Sequence, residues 1–154
     1  LINLAINLVV VIIFALINGV APTWSWLLVP LSIVELYVLA LGISLLLGAI
    51  NVKFRDIGSI WEVLMQAMFY AVPIIYPITM VTATSEVIAK IMLVNPIAQV
   101  IQDVRNNLIT AEAVTTWELV GPAGGFLAIG IVVAVMVIAV LYFRKKAKYF
   151  AEEV

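Results

Sequence analysis

The chain has 154 residues, 66% of them hydrophobic and 11% charged, with a formal net charge of −1. A soluble domain of this size needs more charge than that to cover its surface, and the near-neutral balance gives no electrostatic footprint for a nucleic acid. Cysteine and histidine are both absent, which excludes disulfides, thiol nucleophiles, Ser-His-Asp chemistry and the usual zinc and haem ligands.

The charges gather between four charge-free runs, Leu1–Val34, Leu36–Val52, Val63–Ser85 and Leu119–Phe143. A helix crossing a bilayer core needs about 20 mostly apolar residues, because backbone N–H and C=O groups must be paired internally in hydrocarbon. The pattern predicts an all-α fold, a polytopic transmembrane helical bundle of four spans forming one domain over 1–154. No strand-like alternation competes with it.

The first span is expected over about 1–20, ending at Asn18-Gly19 and Ala21-Pro22. Asn3 and Asn7 share one face of it, a spacing suited to interhelical hydrogen bonding. The run has no basic n-region and no small-residue cleavage site, so it is not read as a signal peptide. Because the chain starts at Leu1 and not Met, it reads as a piece of something longer, missing its N-terminal part. The second span is expected over 24–50, with Trp24 and Trp26 at headgroup level. A short polar loop, 51–59, follows.

The third span is expected over 60–80. Pro73 removes the backbone bond to the carbonyl of Phe69 and predicts a kink. The segment 86–110 is neither span nor ordinary loop. Glu86 and Lys90 stand four apart, Asn95-Pro96 is a helix start signal, and 97–108 is amphipathic but too short to cross. Two short re-entrant or interfacial helices are expected there, between the last two spans. The fourth span is expected over 120–143, with Gly121 and Gly125 forming a weak close-packing signal.

Orientation follows from Lys and Arg. With four crossings, Lys53, Arg55, Arg144, Lys145, Lys146 and Lys148 share one side, against Lys90 and Arg105 on the other. The first side is expected to be cytoplasmic, which places loop 51–59 and the tail 144–154 in the cytosol of a cell-membrane protein. The basic tail is read as topogenic and lipid-anchoring.

Several residues carry two readings each. Glu35 lies inside the second span, where a carboxylate is costly. It either lines a conduit or is satisfied near an interface, and no Lys or Arg inside a span stands ready to pair with it. Pro73 and Pro77 act as a hinge or as a structural kink. Phe69, Tyr70 and Tyr76 offer aromatic faces to a sugar, or pack against lipid and neighbouring helices. Lys53, Phe54, Arg55 and Asp56 form a stiff loop that transmits force from a docked partner, or a merely topogenic one. No convergent polar cluster argues for an enzyme.

Four short motifs occur in this order: Asn51-x-x-Phe54-Arg55-Asp56, Pro73-x-x-Tyr76-Pro77, Asn95-Pro96 with Arg105 following, and a close on Tyr142-Phe143-Arg144 and Phe150-Ala151-Glu152. Together they resemble the C-terminal part of ABC-2-type permeases, in the polysaccharide, O-antigen and teichoic-acid exporter branch. The resemblance implies a six-span permease subunit whose third to sixth spans are present here. It implies a homodimer working with two ATP-binding cassette subunits, which supply ATP and Mg; no cofactor is expected in this chain. It implies a lipid-linked polysaccharide or related polymer as cargo. It makes Lys53, Phe54, Arg55 and Asp56 the coupling loop, and Asn95, Pro96 and Arg105 part of an outer gate. The absence of any GxxxxGK[ST] agrees that ATP is bound elsewhere. A drug or lipid cargo, a membrane scaffold and an ion-coupled carrier are the alternatives.

Overall fold

A computed structural model describes residues 2–52, 54 and 56–147. The expected coupling residues Lys53 and Arg55, and the tail beyond Ala147, lie outside the described residues. Eight α-helices occur among the described residues, and no strand. They are α1 Ile2–Ile17, α2 Val29–Asn51, α3 Ile57–Ala71, α4 Ile78–Thr84, α5 Glu86–Leu93, α6 Pro96–Leu108, α7 Thr116–Leu119 and α8 Pro122–Ala147.

Trp24–Asn51 and Pro122–Ala147 are long and apolar enough to cross a membrane. The first counts a 3-10 turn, Trp24–Leu28, that runs directly into α2. The α5–α6 pair, bent by 95°, qualifies as a third only if taken as one broken span, and α1 is a shorter apolar helix of 16 residues. At 1.5 Å per residue, α1 is about 24 Å long, short of a hydrocarbon core of about 30 Å. It ends where the sequence predicts, at Gly19 with φ +82°, and Asn18 Nδ2 donates to the carbonyl of Phe14.

The third run departs from the kinked continuous helix expected over 60–80. α3 stops at Ala71, Val72 is extended at φ −101°, ψ 140°, and helix resumes only at Ile78 after an extended Pro77. The cause is steric. A proline disfavours helical geometry in the residue before it and lacks the N–H the helix needs, and a second proline follows four residues on.

α2 and α8 form the main helix pair. They approach closely at Gly42, where a Cβ would lie 3.2 Å from the Cα of Met136. The apolar core sits at the end of the bundle where the short helices gather: Val72, Ile78, Ala89, Leu93 and Ala98 are buried together, with Leu119 and Val120 against them. Much of α1 and α3 is apolar and exposed, the pattern of helices that meet lipid or other protein.

Candidate functional site

Local chemistry fixes the short-helix end. Ser85 caps α5 by accepting from the Ile88 N–H, and Asn95 Oδ1 accepts from the Ile97 N–H at 3.0 Å to cap α6, with Pro96 in its first turn. Thr115 and Glu118 form a reciprocal capping box on α7. Thr116 Oγ1 then donates to the carbonyl of Leu93 at 2.9 Å, tying α7 to the end of α5. Ser25 Oγ donates to the carbonyl of Asn107, which ties the entry turn of α2 to the end of α6.

α6 turns its polar side inward. Gln99 and Gln102 are each 1% exposed, as expected when the surroundings are apolar and polar groups do best against protein. Arg105, on the next turn, donates through Nη2 to the carbonyls of Pro73 and Ile74 at 3.4 and 3.2 Å, and through Nη1 to Gln102 Oε1 at 3.5 Å. One expected gate residue thus holds the backbone that the broken third run leaves unpaired. Asn95, Pro96 and Arg105 lie on the same short helix, and the proline pair joins them through Arg105.

A cleft of about 530 Å³ opens between α2, α6, α7 and α8. Glu35 lines it, with Gln99, Asp103, Trp117 and Glu118. Trp117 Nε1 donates to Asp103 Oδ2 at 3.3 Å, and Gln99 also hydrogen-bonds the Asp103 carboxylate. Glu118 Oε2 accepts from the Thr115 N–H. Glu35 Oε1 and Gln99 Oε1 are buried without a partner. A second cleft, of about 430 Å³, is bounded by α2, α3 and the α5–α6 corner, and is walled by Trp61, Met65, Met68 and Pro96.

The aromatic residues form their own group. Phe69 and Tyr70 meet edge to face with ring centroids 5.5 Å apart, and Tyr76 Oη donates to the carbonyl of Tyr70 at 2.9 Å. Phe69 is 43% and Tyr70 67% exposed, so they stand away from the Glu35 cleft. At the far end of α2, the Phe54 N–H donates to the carbonyl of Ile50, and the Phe54 carbonyl accepts from the Ile57 N–H. These bonds close a tight connection between α2 and α3, with Asp56 exposed beside it. This loop and the short-helix end are separate regions of the chain.

A family model described as ABC-2 type transporter matches residues 1–109. This chain belongs to the ABC-2 type transporter family. The match runs from α1 through α6, so it includes both the broken third run and the helix whose arginine holds it. Among curated proteins, an O-antigen export system permease protein RfbA of Myxococcus xanthus is 32% identical over 95 residues, covering 61% of this chain and 36% of that protein. Two of Klebsiella pneumoniae with the same description are 29% and 31% identical over 93 residues each, covering 60% of this chain and 35% of theirs. The chain spans about a third of the length of these relatives. No solved structure matches it.

Membership agrees with the all-α membrane bundle and with a transporter rather than an enzyme. Sequence reasoning singled out Glu35 and Arg105 but not Gln99, Gln102, Asp103 or Trp117 as site residues. The available signal was the polar stripe of α6, whose direction becomes visible only once α2 and α8 are packed against it.

Proposed function

We propose that this chain forms part of the membrane-spanning permease of an exporter that moves a lipid-linked polysaccharide or related cell-envelope polymer outward. ATP hydrolysis in a separate ATP-binding cassette subunit drives the transport, and a second copy of the permease completes the conduit. The observation that carries this reading is the family match over α1–α6 together with relatives described as O-antigen export permeases. The short-helix end faces outward and acts as the gate through Asn95, Pro96 and Arg105. The loop 51–59 faces the cytosol, where Lys53, Phe54, Arg55 and Asp56 receive the partner's stroke. Support for the second role comes from the backbone bonds that Phe54 makes to Ile50 and Ile57, which tie it to the ends of α2 and α3. The exposed rings of Phe69 and Tyr70 offer faces on which sugar rings stack.

The test is reconstitution of the full-length permease in proteoliposomes with the ATP-binding subunit that co-purifies with it. ATP-dependent movement of a lipid-linked glycan, with stimulated ATPase, is the expected result. Movement that persists without ATP and collapses with the proton gradient would overturn the reading in favour of an ion-coupled carrier. Failure of any ATPase to co-purify would leave a scaffold.

A further inference from the structure

The Glu35 cleft has no assigned role in the transport reading, and its chemistry is one-sided. Two of its buried side-chain oxygens, Glu35 Oε1 and Gln99 Oε1, accept nothing, and Gln99 is 1% exposed. Asp103 adds a second carboxylate, held in place by Trp117. Two donors nearby are committed, Trp117 Nε1 to Asp103 and Asn106 Nδ2 to the carbonyls of Ala111 and Ala113. Among the described residues no Lys or Arg lines the cleft. Arg105 is spent on Pro73 and Ile74, Lys90 pairs with Glu86, and Arg144 lies eleven residues beyond Val133 on α8, about 16 Å of helix rise away. Unpaired buried acceptors are costly, and a carboxylate in apolar surroundings more so.

We propose that this cleft binds an ammonium group carried on an apolar chain. An ammonium offers three donors and no acceptor, which complements a floor of unpaired acceptors. A neutral hydroxyl brings lone pairs of its own and leaves the charge uncompensated. The apolar chain follows from the walls: Leu31, Val34 and Val133 line the same cleft and are more than half exposed. The volume, about 530 Å³, is within the range of small-molecule sites. Among the described residues no three acidic groups converge as a metal site would need. The proposal does not depend on the identity of the transported polymer.

The experiment is native mass spectrometry of the full-length permease in detergent micelles, titrated with dodecylammonium, dodecanol and ethylammonium. Dodecylammonium is expected to bind at least about tenfold more tightly than either of the others, the value of a charge-assisted hydrogen bond or of a buried chain. Glu35→Gln is expected to weaken it by about tenfold. Gln99→Leu removes the unpaired acceptor together with the bond that Gln99 makes to Asp103; with its folding checked by thermal unfolding in micelles, it is expected to weaken binding by a smaller factor. Equal binding of dodecanol, or unchanged binding in both variants, would overturn the proposal. Ethylammonium binding as tightly as the long-chain amine would overturn the amphiphile and assign the cleft to a soluble amine.

Discussion

Arg105 on α6 and Pro73 in the break after α3 are 32 residues apart in sequence, and the guanidinium of one donates to the backbone carbonyl of the other. The same nitrogen reaches the carbonyl of Ile74. Broken helices at membrane depth persist only where their freed backbone groups are satisfied by protein or water. A planar, permanently charged fork suits two adjacent carbonyls better than an ammonium does. Arg105→Ala is therefore expected to destabilise the short-helix end by about 1–3 kcal/mol, and Arg105→Lys to recover only part of it. Protease cleavage between residues 72 and 77 in detergent-solubilised protein reads this directly. Unchanged cleavage in Arg105→Ala would remove the clamp from the account.

The α7–α8 corner depends on a missing side chain. A Cβ at Gly125 would meet the Trp117 ring at 2.5 Å, whereas one at Gly130 meets nothing within 4 Å. Gly125→Ala is expected to push Trp117 away from Asp103 and cost about 1–3 kcal/mol by overpacking. Gly130→Ala is expected to be neutral or slightly stabilising, because alanine is the better helix former. Thermal unfolding in micelles, followed by tryptophan fluorescence, separates the two.

Gly125 also shows what was legible in the sequence. The GxxxG at Gly121 and Gly125 reads as a weak signal for close helix packing. In the structure Gly125 takes the ring of Trp117, Gly121 is a left-handed residue at the start of α8, and the close approach of α2 to α8 falls to Gly42. Local signals carried through where they act locally: Asn95-Pro96 begins α6, Asn18-Gly19 ends α1, and Glu86 pairs with Lys90. Pro73 announced a disturbance but not its extent, because the break depends on Pro77 and on Arg105 far along the chain. The cleft was half visible. Glu35 is conspicuous in an apolar run, but its neighbours Gln99 and Asp103 look like the solvent face of an amphipathic helix until that face is seen to turn inward.

Thr116 supplies a test of the tie between α7 and α5. Its hydroxyl donates to the carbonyl of Leu93 in a buried position. Thr116→Val keeps the shape and deletes the donor, so the expected loss is about 1 kcal/mol, in the range measured for hydrogen bonds between membrane helices. Thr115→Ala removes the cap of α7 and is expected to cost a similar amount. A double variant that loses no more than either alone would show that the two residues hold one unit.

The proposed coupling role is tested on the 51–59 loop with the ATP-binding subunit present. Phe54→Ala combined with Asp56→Ala is expected to lower glycan-stimulated ATPase and export by about tenfold, a typical coupling energy between linked sites, with membrane insertion unchanged. Export and ATPase that both stay at their starting values would take the stroke away from this loop.

The side of the membrane on which each region lies is open to a direct measurement with single-cysteine variants of the full-length permease, since these 154 residues contain no cysteine of their own. Asp56 and Glu112 are both exposed and lie in different connections, Asp56 between α2 and α3 and Glu112 between α6 and α7. The Lys and Arg distribution predicts opposite sides for them, Asp56 inside and Glu112 outside. An impermeant maleimide added to intact cells is expected to label Glu112→Cys and to spare Asp56→Cys until the membrane is opened. The reverse pattern would invert the permease and move the Arg105 clamp to the cytosolic side. Labelling of both from outside would mean that the chain does not cross the membrane between Asp56 and Glu112, over α3 to α6, and that the crossings number fewer than this orientation requires.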